Sequence, residues 1–279
     1  MANLQIEGLN IYYCKKGEGP ETLLLLHGNV SSTEYWDKFL RILPDRYQAI
    51  ALDQRGCGKS EHPADGYSIP QYVEDLGQFV DRLGLRRFHL LGHSMGGQIA
   101  MLFTLKHPER VQTLGLLDSV PADGLFLNDE IRGFFQLILK DRRALRQALG
   151  GAMPYGEGPS FAERATEIAS ACAPQTFTEN MESMHRTNFI SEVSQIAAST
   201  LILHGKDDVV IPLEYMVPTM KAMTDARVVI YTHCGHSPNV EWPREFAETY
   251  FQFIAERGKS SHPSPLPPWR LCRNPSGRT

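Results

Sequence analysis

Continuous apolar runs and amphipathic stretches alternate along this chain. Two short alternating segments, 4–7 and 11–15, flank Gly8-Leu9-Asn10 and predict a hairpin-like pair of strands. Unbroken apolar runs follow at 22–26, 47–52, 88–91, 113–117, 201–203 and 227–231, the pattern of strands buried on both faces. Helical periodicity covers 35–43, 69–83, 95–106, 213–223 and 243–256. Strands alternating with helices place the chain in the α/β class, as a mostly parallel sheet with helices on both faces. The runs give eight strands, the first two antiparallel at one edge.

The alternation is interrupted once. No strand pattern occurs between 121 and 197, where 129–149, 160–172 and 177–189 read as helical. That span is too long for a loop in a compact domain, so it predicts an inserted helical cap over the carboxyl ends of the strands. The core is then 1–120 and 198–258. The large apolar residues Phe126, Phe134, Phe135, Met153, Tyr155, Phe161, Phe177, Met181, Met184 and Phe189 are expected mostly in the interior of the cap, a few lining a pocket. The stretch 259–279 is rich in Pro and Ser and is expected to be a disordered tail, with Arg270, Arg273 and Arg278 as solvated charges.

Composition narrows the partners. Hydrophobic residues at 42% and charged residues at 22% are ordinary for a globular protein. A net charge of −4 offers no basic surface for nucleic acid. The five cysteines are scattered without C-x-x-C spacing, which reads as reduced thiols in a cytoplasmic chain and not as a disulfide framework or zinc site. Met1-Ala2-Asn3-Leu4 leads directly into a strand pattern, so no targeting signal is expected. No apolar run is long enough to span a membrane, and no membrane partner is expected. The dispersed histidines show no metal-ligand spacing, and no cofactor is implied.

The chemistry concentrates at Gly92-His93-Ser94-Met95-Gly96, where an apolar run ends and a helical pattern begins. This is the G-x-S-x-G arrangement, in which a sharp strand-to-helix turn lifts a serine hydroxyl above a sheet. A serine hydroxyl needs a base within reach, itself oriented by a third group. Downstream, Gly205-Lys206-Asp207-Asp208 and His233-Cys234-Gly235-His236 each follow a strand pattern, in the order acid and then histidine.

With these residues in hand, the chain resembles the α/β-hydrolase-fold serine hydrolases over about 4–257. Further motifs carry the resemblance: His27-Gly28, Asp53-Gln54-Arg55-Gly56-Cys57-Gly58-Lys59-Ser60, the spacing of Gly205, Asp208 and Pro212, and Gly235-His236 followed by Glu241 and Pro243. The resemblance implies Ser94 as nucleophile, His236 as base and Asp208 as its partner. It also implies an oxyanion hole from the backbone N–H groups of Asn29 and Met95. Asp207 and Asp118 compete for the acid, but the Gly-x-x-Asp spacing favours Asp208. His233 competes for the base, and Gly-His with Glu241 and Pro243 behind it favours His236. Histidines 27, 89, 93 and 204 read as structural, Asp53 and Arg55 as loop braces, and Trp36 as core.

The implied activity is cofactor-independent hydrolysis of a small-molecule carboxylic ester or lactone. A serine at position 94 sets the chain apart from relatives resembling haloalkane dehalogenases and epoxide hydrolases, which carry aspartate there. Two alternatives stay open. Ser94-Met95-Gly96-Gly97 is similar to the elbow of carbon–carbon bond hydrolases of the meta-cleavage-product type, while His27-Gly28-Asn29-Val30-Ser31-Ser32 is similar to some lactone-cleaving members. A small-molecule receptor that retains the triad is the alternative outside catalysis.

Overall fold

The computed structural model describes residues 2–156, 159–257 and 269–272. Its sheet runs in the order β1 (Ala2–Ile6), β2 (Leu9–Lys16), β4 (Tyr47–Leu52), β3 (Glu21–Leu26), β5 (Phe88–His93), β6 (Val111–Leu117), β7 (Ser199–Gly205), β8 (Ala226–Tyr231) and β9 (Trp269–Cys272). β1 pairs with β2, and β2 with β4, in antiparallel fashion; every later pairing is parallel. All eight expected strands are present.

The ninth strand corrects the reading of the tail. Trp269–Cys272 lies in the stretch expected to be disordered, yet it pairs along β8 from Val228 to Tyr231. An open strand edge leaves a row of backbone donors and acceptors, and a short parallel strand satisfies them whatever the composition around it. The rest of 259–279 lies outside the described residues.

Alternation along the strands sorts side chains to two faces. Leu24 and Leu26 of β3 join Leu90, Leu114 and Ile202 in one core with α2 (Ile69–Arg82) and α3 (Met95–Lys106). Leu23 and Leu25 join Leu91, Leu201 and Leu203 in the other, with Phe39 of α1 (Asp37–Arg41) and Phe246, Tyr250 and Phe253 of the helix Pro243–Arg257. Trp36 is fully buried between Phe39 and Phe246, a core residue as expected. Each large side chain buried this way contributes roughly 1.5–3 kcal/mol.

Between β6 and β7 the chain forms α4 (Asp129–Lys140), α5 (Arg142–Ala152), α6 (Pro159–Ser170) and α7 (Glu179–Arg186). The single helical pattern at 129–149 is broken at Asp141, whose side chain accepts from the N–H groups of Arg143 (2.8 Å) and Ala144 (3.1 Å) and caps α5. The inserted helices pack on the loops at the carboxyl ends of the strands. Val30 and Cys57 meet Ile138, Leu145, Cys172 and Phe177 there, and Tyr35 and Val240 meet Met153, Ala165 and Ile168. The expectation for the insertion's apolar residues needs one correction. Met181, Met184 and Phe189 are buried, but Phe126, Phe134 and Tyr155 are exposed: Phe126 lies against Tyr215 at the surface, and Tyr155 keeps its hydroxyl outward to donate to Asp207. The chain continues through α8 (Leu213–Ala222), α9 (Pro238–Glu241) and α10 (Pro243–Arg257). Among the described residues no helix is long and apolar enough to cross a membrane.

Candidate active site

Among the described residues, four non-glycine residues have positive φ: Val30 (47°), Ser94 (53°), Asp118 (41°) and His233 (58°). They follow β3, β5, β6 and β8, so all four lie in loops at the carboxyl edge of the sheet. Such conformations cost on the order of 1–3 kcal/mol each and persist only where surrounding structure holds them. Strain gathered at one edge makes that edge the candidate functional one.

Ser94 (φ 53°, ψ −120°) is the corner between β5 and α3. Its N–H donates to the carbonyl of Leu117 (2.9 Å), and its own carbonyl accepts from Gly97 (2.9 Å) and Val120 (3.1 Å). A Cβ on Gly96 would lie 2.6 Å from the carbonyl oxygens of Leu26 and His27, so only glycine lets the first turn of α3 press this closely on β3. The turn leaves the N–H of Met95 at a helix N-terminus, where donors lack intrahelical partners.

Two loops away, Nδ1–H of His236 donates to Oδ2 of Asp208 at 2.7 Å. Oδ1 of Asp208 accepts from the N–H groups of Val210 (2.7 Å) and Ile211 (3.0 Å). Burial opposes ionisation of Asp208, but the charge and hydrogen bond of His236, then His204 and the Ile211 N–H, outweigh it and hold the carboxyl below its usual range. The backbone around His236 is fixed on every side. Its N–H donates to the Ala152 carbonyl (2.7 Å), and its carbonyl accepts from Nε2 of His93 (2.7 Å). The Glu241 carboxylate accepts from the flanking N–H groups of Gly235 (3.0 Å) and Ser237 (3.1 Å), and from Tyr155 (3.0 Å).

The rivals sit elsewhere. Asp207 accepts from the Tyr155 hydroxyl at 2.7 Å on the surface, and His233 is exposed with its carbonyl accepting from the Trp242 indole (2.8 Å). Asp118 is fully buried, and its Oδ1 accepts from the Gly205 N–H at 2.8 Å. Burial, then the negative charge of Asp208, pushes the Asp118 carboxyl well above its usual range. Asp118, His204 and Asp208 bring one ligand-type atom each within 4.8 Å of one another, a grouping the sequence spacing does not reveal. Hydrogen bonds engage part of it: His204 Nε2 donates to the Ile211 carbonyl (2.9 Å) and both Asp208 oxygens accept, while Asp118 Oδ2 and His204 Nδ1 are buried without a hydrogen-bond partner.

The third element is the loop after β3. A Cβ on Gly28 would stand 3.1 Å from Cβ of Ser94, so this loop passes directly over the serine. The side chain of Asn29 is tied to the helical insertion: Nδ2 donates to the Thr176 carbonyl (2.9 Å), and Oδ1 accepts from Asn180 (2.9 Å). Asn180 in turn accepts from the Tyr72 hydroxyl (3.1 Å). Asp53 braces the same loop by accepting from the N–H groups of Thr33 (2.6 Å) and Lys59 (2.8 Å). Arg55 forms a buried bidentate pair with Asp75, both contacts at 2.8 Å. Gly28, Asn29, Tyr35, Ser94, Met153 and His236 line one cavity of about 50 Å³.

The structure thus brings Ser94, His236 and Asn29 to one cavity, with Asp208 behind His236. The family profile described as alpha/beta hydrolase fold matches residues 21–153. Over 265 residues the chain is 27% identical to pimeloyl-[acyl-carrier protein] methyl ester esterase of Nitrosomonas europaea, covering 90% of this chain and 99% of the relative. It is 26% identical to a 2-hydroxy-6-oxononadienedioate/2-hydroxy-6-oxononatrienedioate hydrolase of Paraburkholderia xenovorans, covering 88% and 91%. Among solved structures, it matches Est816, described as an N-acyl homoserine lactone degrading enzyme, with TM-score 0.78 and 27% identity over 90% of this chain and all (100%) of that one. The chain has the α/β-hydrolase fold.

The sequence marks Glu241 only as part of a motif; the structure shows the carboxylate that holds the His236 loop. The ties from Ala152, Tyr155, Thr176 and Asn180 to the site carry no local sequence signal, because each joins residues more than 80 positions apart. His93 is likewise buried beside His236, with ring centroids 5.0 Å apart, and burial followed by the nearby His236 pushes it down to about 3. It is a neutral structural donor.

Proposed function

We propose that this protein cleaves a small-molecule carboxylic ester or lactone through an acyl-enzyme on Ser94. The observation that carries the reading is the division of labour on His236: Nδ1 is committed to a buried Asp208, which leaves Nε2 for the serine in the shared cavity. Ser94 Oγ attacks the carbonyl carbon as Nε2 of His236 takes its proton. The imidazolium is stabilised by Asp208, whose charge is already paid for by the contacts that keep it ionised. Negative charge on the carbonyl oxygen is met by the N–H groups of Met95 and Asn29. Collapse expels the alcohol with the proton from His236, and water then repeats the sequence to release the acid.

The strain at Val30 and the side-chain anchors of Asn29 support the oxyanion role, since a donor must be aimed before charge develops. A second reading, hydrolysis of a carbon–carbon bond in a vinylogous diketone, is favoured by similarity to the Paraburkholderia xenovorans hydrolase. The test is proton release in a pH-stat against short esters, lactones and one vinylogous diketone, for the wild type and Ser94→Ala. Ester or lactone turnover by the wild type alone supports the first reading. Turnover confined to the diketone supports the second.

A further inference from the structure

The cavity at Ser94 is small. At about 50 Å³ it lies well below the roughly 300–1,000 Å³ of ligand pockets, so it does not hold a bulky substituent. A second cavity of about 470 Å³ lies between α5 and α6, within the size range of ligand pockets. Leu149 and Met153 line both cavities. Leu149 lies in the last turn of α5 and Met153 is the residue that caps it, so the two stand between the two spaces.

The surroundings of this wall are apolar. Phe161 of α6 lines the outer cavity and packs edge-on against Tyr35 (5.7 Å, 70°), which lines the inner one and stacks on His93. Arg143 and Arg146 border the outer cavity from the exposed side of α5, so its polar end faces solvent. The end of α5 is pinned, because the Ala152 carbonyl accepts from the His236 N–H at 2.7 Å. That contact leaves the side chains of Leu149 and Met153 as the parts free to move between the two spaces. Methionine, unbranched with three rotatable bonds, suits that task.

We propose that the cavity between α5 and α6 is the subsite for the larger substituent on the scissile carbonyl, an apolar chain or ring. Leu149 and Met153 form the gate that sets how large that substituent can be. The proposal rests on Ser94 being the nucleophile. A larger cavity of about 720 Å³, bordered by Phe177 and Met181, shares no lining residue with the space around Ser94. Met181 nonetheless reaches Asn29, with Sδ 3.8 Å from Nδ2, which makes it the rival route.

Fluorophosphonates test the gate without knowledge of the substrate. Ser94 Oγ forms a bond to phosphorus, fluoride leaves, and the serine proton passes to His236. Labelling rates of an ethyl and a decyl fluorophosphonate are measured by intact mass on folded wild type, Met153→Ala, Met153→Trp, Leu149→Ala and Met181→Ala. The decyl-to-ethyl ratio should rise about tenfold in Met153→Ala or Leu149→Ala and fall by a similar factor in Met153→Trp. A ratio indifferent to Met153 and Leu149, or one that moves only with Met181→Ala, overturns the gate while leaving Ser94 as the labelled residue. Failure of both probes to label Ser94 in the wild type overturns the nucleophile and the gate with it.

Discussion

Oδ2 of Asp208 receives the Nδ1–H of His236 at 2.7 Å, while its other oxygen is held by the N–H groups of Val210 and Ile211. The carboxylate cannot rotate away from the imidazole without abandoning two backbone donors. Its pKa is depressed in the folded state, so the pairing is fully present above the ordinary aspartate value of about 3.9 and is lost as pH falls through the lowered one. Asp208→Asn keeps the shape but removes the charge and favours the wrong tautomer of His236. The expected loss in kcat near neutral pH is about 10⁴-fold, with the thermal midpoint largely retained. A loss under about tenfold in steady-state turnover contradicts the assignment.

Asp118 gives the complementary prediction. It is buried beside Asp208, burial and that neighbouring charge raise its pKa above the usual carboxylate range, and its Oδ1 accepts from the Gly205 N–H. Asp118→Asn preserves that acceptor and should keep kcat within about tenfold of wild type. A collapse as deep as that of Asp208→Asn would make Asp118 the acid.

Glu241 holds the His236 loop through Gly235, Ser237 and Tyr155. Glu241→Ala leaves buried N–H groups without an acceptor, at a cost of about 1–3 kcal/mol in urea unfolding, and kcat should fall as His236 loses its position. Glu241→Gln, which keeps one oxygen, should recover part of both. Unchanged stability and turnover in the alanine variant would remove Glu241 from this account.

The pH dependence of stability follows from His93. Its folded pKa is lowered to about 3, below the unfolded value of about 6.5, so the unfolded chain binds the extra proton between them. The contribution is complete above about 6.5 and declines as pH falls toward the folded value, at about 1.4 kcal/mol per pH unit for one proton. Asp118 and Glu241, both raised, act in the opposite sense, losing stability as pH rises above the carboxylate range. The difference between wild type and His93→Asn isolates the histidine. Urea midpoints measured from pH 7 to 5 should converge as acid is added; parallel curves contradict a neutral buried His93.

Much of this site is legible in the chain because its parts are local. The elbow at Ser94 is a strand, a tight turn and a helix in one stretch, and the spacing of Gly205, Asp208 and Pro212 places one acid just past β7. What stays hidden is tertiary. Asp141 as a cap breaks a continuous amphipathic pattern that gives no sign of stopping. The β9 strand owes its place to the free edge of β8 and not to its own composition. The union of Asp118 with His204 and Asp208, and the ties of Asn29 to Thr176 and Asn180, join distant segments that only folding brings together.

The central claim is a covalent acyl intermediate on Ser94, and rapid acid quench followed by peptide mass spectrometry tests it most directly. During turnover of the best ester from the pH-stat panel, the peptide carrying Ser94 should gain the mass of the acyl group in place of one hydrogen. The adduct should vanish in Ser94→Ala together with turnover. Wild-type turnover that persists in Ser94→Ala, or an acyl group found on another residue, would contradict the account.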